Sequence, residues 1–95
     1  MKVSEITYQE LADYIKLTEV TEEEQKLLNV LLGVAKVFVK ENTGVESLDD
    51  YDDFVIVIFI LCQDMYDNRT LYIDKDNLNR VVETILGMHS DKNVC

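Results

Sequence analysis

The sequence contains no proline and no tryptophan, and it has only three glycines and two cysteines in 95 residues. A phosphate-binding loop needs clustered glycines, whereas Gly33, Gly44 and Gly87 are far apart along this chain. Two cysteines are too few for a disulfide scaffold, so we expect both thiols to be reduced. These absences exclude a disulfide-stapled domain and a nucleotide-binding loop.

Histidine and basic residues are also scarce. Nine Lys and Arg residues stand against 19 Asp and Glu residues, which gives a net charge of -10. Binding of nucleic acid requires clustered basic side chains, so we expect no specific binding of DNA or RNA. The one histidine, His89, has no nucleophile or orienting acid beside it in sequence, and Asp74 to Asn77 fails the pattern of an EF-hand calcium loop. We therefore expect no enzyme activity, no metal site and no cofactor.

The longest apolar feature is a run of nine residues from Phe54 to Cys62. A transmembrane helix needs about 20 apolar residues, so this run should be buried against protein, and we expect no membrane association. The run is rich in β-branched residues, which favours a strand locally. Four aspartates that can cap a helix precede it, it shows no alternation, and the chain offers no comparable run to pair with. We therefore predict a helix from about Asp52 to Asn68.

Capping signals mark two earlier helices. Thr7 and Glu10 form a capping box at the start of a short helix that should reach about Ile15. A second capping box, at residues 21–24, should start a long helix. Gly44 is well suited to end that helix in a left-handed conformation.

The last predicted helix has the clearest amphipathic pattern, and Gly87 should end it. Its buried face is expected to contain Leu78, Val81, Val82, Ile85 and Leu86. The chain is thus predicted to be a single all-α domain over residues 1–95. It should be a small array of four helices, with one short N-terminal, two long central and one amphipathic C-terminal helix. We expect a mobile tail at about residues 88–95, and no secretory signal, because the opening residues are polar.

The two central helices are unusually apolar. The long second helix is apolar around most of its circumference. Its narrow polar stripe consists of Lys26, Asn29, Gly33, Lys36 and Lys40. A helix of this kind normally lies in the middle of a fold or between subunits. The third helix is apolar on every side for more than two turns, which is more than three companion helices can cover, and we expect its surplus apolar surface to contact other subunits.

Taken in order, the segments resemble the phage head-tail connector family, the small head-completion or DNA packaging proteins of tailed bacteriophages. The similarity lies in ITYQEL with YIK near the start, LLGVAK followed by ENTG in the second helix, MYDNR after the apolar run, and ILGMHS near the end. It covers nearly the whole chain. The chain departs from the family pattern in having no proline between the second and third helices and no arginine near the end of the last.

The resemblance implies a structural virion protein that forms a ring below the portal, extends the DNA conduit, and joins the capsid to the neck or tail. The implied partners are copies of itself, the portal protein, and a downstream head-closure or tail protein, while DNA passes without specific binding. Its implied location is the virion neck, after assembly from the host bacterial cytoplasm. An acidic lumen would repel the DNA backbone and let it pass.

Five residues are candidates for a subunit or partner interface: Tyr66, Arg69, Leu71, Tyr72 and Ile73. Tyr72 and Ile73 are the strongest, because they are apolar residues in a polar loop. For Tyr66 and Arg69, a structural role within the subunit is an equal alternative.

A second interpretation concerns Ser47. The segment GVESL at residues 44–48 resembles the Asp-Ser-Leu signature of acyl carrier proteins, which are also small, acidic, four-helix domains. In that case Ser47 would carry a phosphopantetheine arm. Those carriers begin a helix directly after the serine, however, whereas here aspartates intervene before an entirely apolar helix.

Overall fold

The computed structural model describes residues 1–89 and contains four α-helices in that range. They are α1 (Tyr8–Ile15), α2 (Glu22–Thr43), α3 (Phe54–Asn68) and α4 (Arg80–Met88). Short 3₁₀ turns lie at Val3–Glu5, Leu48–Asp50 and Lys75–Asn77, and the described residues form no strand. The predicted all-α array of four helices is therefore confirmed. Of the predicted tail, Met88 closes α4 and His89 follows it, and the rest lies outside the described residues.

The first two helices begin and end through local chemistry. The hydroxyl of Thr7 accepts a bond from the Glu10 amide, and the Glu10 carboxylate accepts one from the Thr7 amide at 2.8 Å, as predicted. Thr21 caps α2 by accepting from the Glu24 amide at 3.1 Å. The return bond to the Thr21 amide is absent among the described contacts, so this second capping box is only half formed. Gly44 ends α2 in the predicted left-handed conformation, with φ of 75°.

The start of α3 differs from the prediction. The helix begins at Phe54, and the Asp53 side chain at the N-cap makes no capping bond. The Asp53 carboxylate lies 2.8 Å from Nε2 of His89, which follows α4. The Asp49 carboxylate accepts a bond of 2.8 Å from the amide of Ser4. These two aspartates therefore connect distant segments instead of capping the helix that follows them.

The end and the exposed face of α4 also differ from the prediction. Gly87 lies inside the helix, which ends at Met88, and His89 has a φ of -110°. Val82 and Leu86 are buried as expected, but Val81 is exposed. A nine-residue helix that covers one end of the core buries only a narrow stripe, so one side of the predicted apolar face remains open.

Helix α3 lies at the centre of the core, packed most extensively against α2 and also against α1 and α4. Its buried residues are Phe54, Val57, Ile58, Leu61, Cys62 and Met65. Within the apolar run only Ile56 is exposed, with 39% of its surface accessible. The other helices therefore cover α3 more completely than the sequence predicts. Burial raises the pKa of the Cys62 thiol to about 12, so this thiol is protonated and unreactive near neutral pH.

The bond between Asp49 and Ser4 fastens the N-terminal turn to the segment before α3. Hydrogen bonds from Ser4 hold the pKa of Asp49 below its ordinary value of 3.8, with a smaller contribution from Lys2 and Lys36. A carboxyl whose pKa is lowered in the fold stabilises it above the unfolded-state pKa. That stabilisation is lost as the pH falls through the lower folded-state pKa.

We predict that the amide proton of Ser4 titrates in NMR spectra with a midpoint below 3.8, the ordinary value for aspartate. The Asp49→Asn variant should abolish this titration, because an amide side chain has no proton to gain in that range. Asp50→Asn is the matched control and should leave it unchanged, since Asp50 does not contact Ser4 in the described contacts. A midpoint at or above 3.8 would contradict the bond.

Candidate interaction surface

The outward face of α2 carries an apolar stripe that no other part of the described chain covers. We call Leu27, Val30, Val34 and Val37 the α2 seam. Leu27, Val30 and Val37 are exposed, Val37 with 58% of its surface, and Val34 is half-buried. The alternating spacing of three and four residues is that of a helix that packs against another helix. The α2 seam extends about 15 Å along the axis, since each residue rises about 1.5 Å.

The loop after α3 lies beside the α2 seam and turns it into a groove. This α2 groove is lined by Val30, Gly33, Val34, Val37, Phe38, Glu41, Leu71, Tyr72 and Ile73. Leu71 and Tyr72 are exposed, Tyr72 with 66% of its surface, while Ile73 packs partly against the core. Three of the five predicted interface residues therefore lie together against α2. These three residues were predicted as interface residues, but their position against α2 was not predicted, although the spacing of the seam is present in the sequence.

Tyr66 and Arg69, the other two predicted interface residues, do not line the α2 groove. The Tyr66 hydroxyl donates to a carboxylate oxygen of Glu24 at 3.2 Å and so joins the end of α3 to the start of α2. Partial burial and this carboxylate raise the pKa of Tyr66. Arg69 ends α3 with a φ of 56°, and its amide donates to the carbonyls of Met65 and Tyr66. The Tyr66 side chain and the Arg69 backbone therefore make contacts within the subunit.

On its other side, the same loop closes a smaller pocket of about 270 Å³ against the end of α3. Its walls combine apolar side chains, among them Leu61 and Ile73, with Asp64 and Asp74. Partial burial and the nearby Asp67 raise the pKa of Asp64. The pocket is below the usual range for small-molecule sites, about 300–1,000 Å³. Its geometry gives no basis for a cofactor site.

Ser47, the alternative modification site, is exposed and lies before a single 3₁₀ turn. Its hydroxyl accepts a bond from the Asp49 amide at 3.3 Å. The next α-helix begins only at Phe54, so no long helix follows the serine directly. The shallow depression around Ser47 also contains Lys36 and Lys40 of α2.

The described part of the chain offers little other chemistry. Across residues 1–89, no three His, Cys, Asp or Glu side chains are grouped so that they could hold a metal ion. No α-helix in the same range has the length and apolar character needed to cross a bilayer. The His89 ring bonds to the Asp53 carboxylate and packs against Tyr51 in a tilted arrangement, with 4.1 Å between ring centroids. These contacts join the end of α4 to the segment that leads into α3.

Comparison of the chain with protein-family models, with curated proteins and with solved structures finds no match. The α2 groove is therefore interpreted from its own geometry and chemistry.

Proposed function

We propose that the protein is a structural component of a tailed-phage or prophage virion, a connector that assembles as a ring below the portal and joins the capsid to the neck or tail. Four ordered segments of the sequence resemble the head-tail connector family. The arrangement of four helices is compatible with that proposal. The proposed location is the virion neck, reached from the host cytoplasm during assembly.

The α2 groove is the observation that carries the proposal. Soluble monomers rarely expose a contiguous apolar surface of more than a few hundred Å², and larger exposed patches mark sites of interaction. Here exposed apolar side chains of α2 and of the loop at Leu71 and Tyr72 face a common groove. A protein that works by contacting copies of itself and the portal needs such a surface. A monomer without partners gains nothing from exposing it.

The charge of the chain is compatible with a wall of a DNA conduit. With a net charge of -10, most of the surface repels the phosphate backbone. Repulsion prevents DNA from adhering while it moves through a channel. No cluster of basic residues long enough to follow a duplex interrupts the acidic sequence.

Coexpression with the portal protein of the same phage genome tests the proposal. We expect the two proteins to elute together in size-exclusion chromatography and to form rings in electron micrographs. The test of the acyl carrier interpretation is incubation with a phosphopantetheinyl transferase and coenzyme A, with Ser47→Ala as the control. An intact mass increased by one phosphopantetheine on Ser47, or the absence of any complex with the portal, would refute the connector proposal.

A further inference from the structure

The small pocket beside the end of α3 has an apolar inner wall and a polar rim. We call this cavity of about 270 Å³ the Asp64 pocket. Leu61 and Met65 of α3 are buried and line it, together with the half-buried Leu78. The carboxylates of Asp64 and Asp74 lie at the rim, where both residues are exposed. A ligand in this pocket would therefore meet apolar surface and negative charge together.

No positive charge of the subunit balances these two carboxylates. Among the described residues the lining contains no Lys, Arg or His, and no ion pair in residues 1–89 involves Asp64 or Asp74. Partial burial and the nearby Asp67 raise the pKa of Asp64, and a bound cation would offset both effects. A metal ion is not indicated, because the described residues group no three side chains that could hold one.

The hydrogen bonds at the rim leave it rich in acceptors. The Asn68 side chain donates to the Asp64 carbonyl at 2.9 Å, and the Asn77 side chain donates to the Asp74 carboxylate at 2.7 Å. The Thr70 hydroxyl uses its proton on a backbone carbonyl. Both amides keep a side-chain oxygen, and the Asp64 carboxylate accepts no bond in the described contacts. A ligand with several donors therefore suits this rim better than one with acceptors.

We propose that the Asp64 pocket binds an alkylguanidinium or alkylammonium group, with its charge at the rim carboxylates and its stem against the apolar wall. A guanidinium suits the rim better, because its N–H donors are fixed in a plane that matches carboxylate oxygens. The alkyl stem of such a group lies on apolar surface while its charged head stays at a polar edge. The pocket is smaller than the usual small-molecule site, which fits a single short chain of this kind.

Titration of the isotope-labelled protein with n-butylguanidinium, followed by NMR, tests this binding. We expect saturable shifts of the amide signals around the pocket and a lower pKa of Asp64 at saturation, because a bound cation favours the ionised carboxyl. The neutral analogue n-butylurea should bind at least about tenfold more weakly, because it lacks the charge. Ethylguanidinium should also bind about tenfold more weakly, because its stem is shorter. Equal binding of n-butylurea, or no saturable shift with n-butylguanidinium, would overturn the proposal.

Variants of the rim give a second test with a matched control. Asp64→Asn/Asp74→Asn should bind n-butylguanidinium about tenfold or more weakly than the wild type, while asparagine keeps the shape and an acceptor oxygen at both positions. Asp67→Asn/Asp76→Asn also removes two carboxylates, but neither residue lines the pocket, so its affinity should stay close to that of the wild type. An equal loss in the two variants would show that the cation follows the overall charge of the chain, and the proposal would be wrong.

A free cation and a basic side chain of another protein carry the same group, and two further probes separate these sources. Agmatine represents the free cation, and a blocked Gly-Arg-Gly peptide represents an arginine with its backbone attached. Equal affinity for both would indicate a side chain of another protein, and agmatine binding about tenfold more tightly would indicate a small molecule. Binding of neither would overturn the proposal. The titrations need no portal protein, so their outcome is separate from that of the connector proposal, which the complex with the portal decides.

Discussion

Replacement of Phe54 by alanine is expected to destabilise the fold by about 3–5 kcal/mol, the usual loss for a large buried aromatic residue. Phe54 is fully buried at the first turn of α3. Its ring makes edge contacts with Tyr51 at 5.4 Å and with His89 at 5.2 Å between centroids. A cavity here would loosen α3, the segment that precedes it, and the end of α4 together. A domain of this length has a total stability of about 5–14 kcal/mol, so the variant should be near the limit of folding.

Urea unfolding followed by circular dichroism measures this loss, and Phe59→Ala is the matched control. Phe59 lies in the same helix but is half-buried and stacks on Tyr14, with 5.0 Å between ring centroids. The free energy of unfolding lost in Phe59→Ala should be clearly smaller than in Phe54→Ala. Less apolar area returns to water, and the site is open enough for its neighbours to relax. If Phe59→Ala were as destabilising as Phe54→Ala, the centre of the core would lie elsewhere along α3.

The helices could be predicted from the sequence because their signals are local. Thr7 and Glu10 are three residues apart, and Gly44 follows α2 directly, so each signal acts within one turn of the chain. The conformation of the apolar run in α3 was harder to predict, since β-branched residues favour strands. Burial of each such residue is worth about 1.5–3 kcal/mol, however, whereas the helix penalty is only some tenths of a kcal/mol.

The roles of Asp49 and Asp53 could not be predicted by the same reasoning. A cap lies within a few residues, but the partners of these carboxylates, Ser4 and His89, are 45 and 36 residues away in sequence. Nothing in the local pattern distinguishes a carboxylate that caps a helix from one that joins two segments. The same limit applies to the end of α4, which continues one residue beyond Gly87 to Met88 and is followed by His89, whose ring contacts the distant Asp53.

The candidate surface was predicted in part. Tyr72 and Ile73 were predicted as interface residues because they are apolar residues in a polar loop, and the structure places both in the α2 groove. The excess apolar surface was expected on α3, and this expectation was wrong: α3 is largely enclosed, and α2 carries most of the exposed apolar side chains of the two helices. Periodicity shows that a helix has two apolar faces. Which face remains outside depends on the packing of the other helices, which is a tertiary property.

Replacement of Tyr72 and Ile73 by serine is expected to leave the helices intact and to weaken assembly. Tyr72 is exposed in the isolated subunit, so its removal costs the fold little, and Ile73 is only partly buried. In an assembly both side chains would be covered. Aromatic residues at the centre of an interface typically contribute about 2 kcal/mol or more, which corresponds to roughly a thirtyfold weaker dissociation constant.

Sedimentation at several concentrations, alone and with the portal protein, measures this effect, while circular dichroism reports helicity. The single variants Tyr72→Ser and Ile73→Ser separate the two contributions, because only Ile73 also supports the core. Met88→Ser is the matched control: Met88 has the same exposed fraction as Tyr72, 66%, but lies on α4 and does not line the α2 groove. Unchanged association of Tyr72→Ser would show that the α2 groove does not drive assembly. An equal loss for Met88→Ser would show that general apolar exposure, and not the α2 groove, drives it.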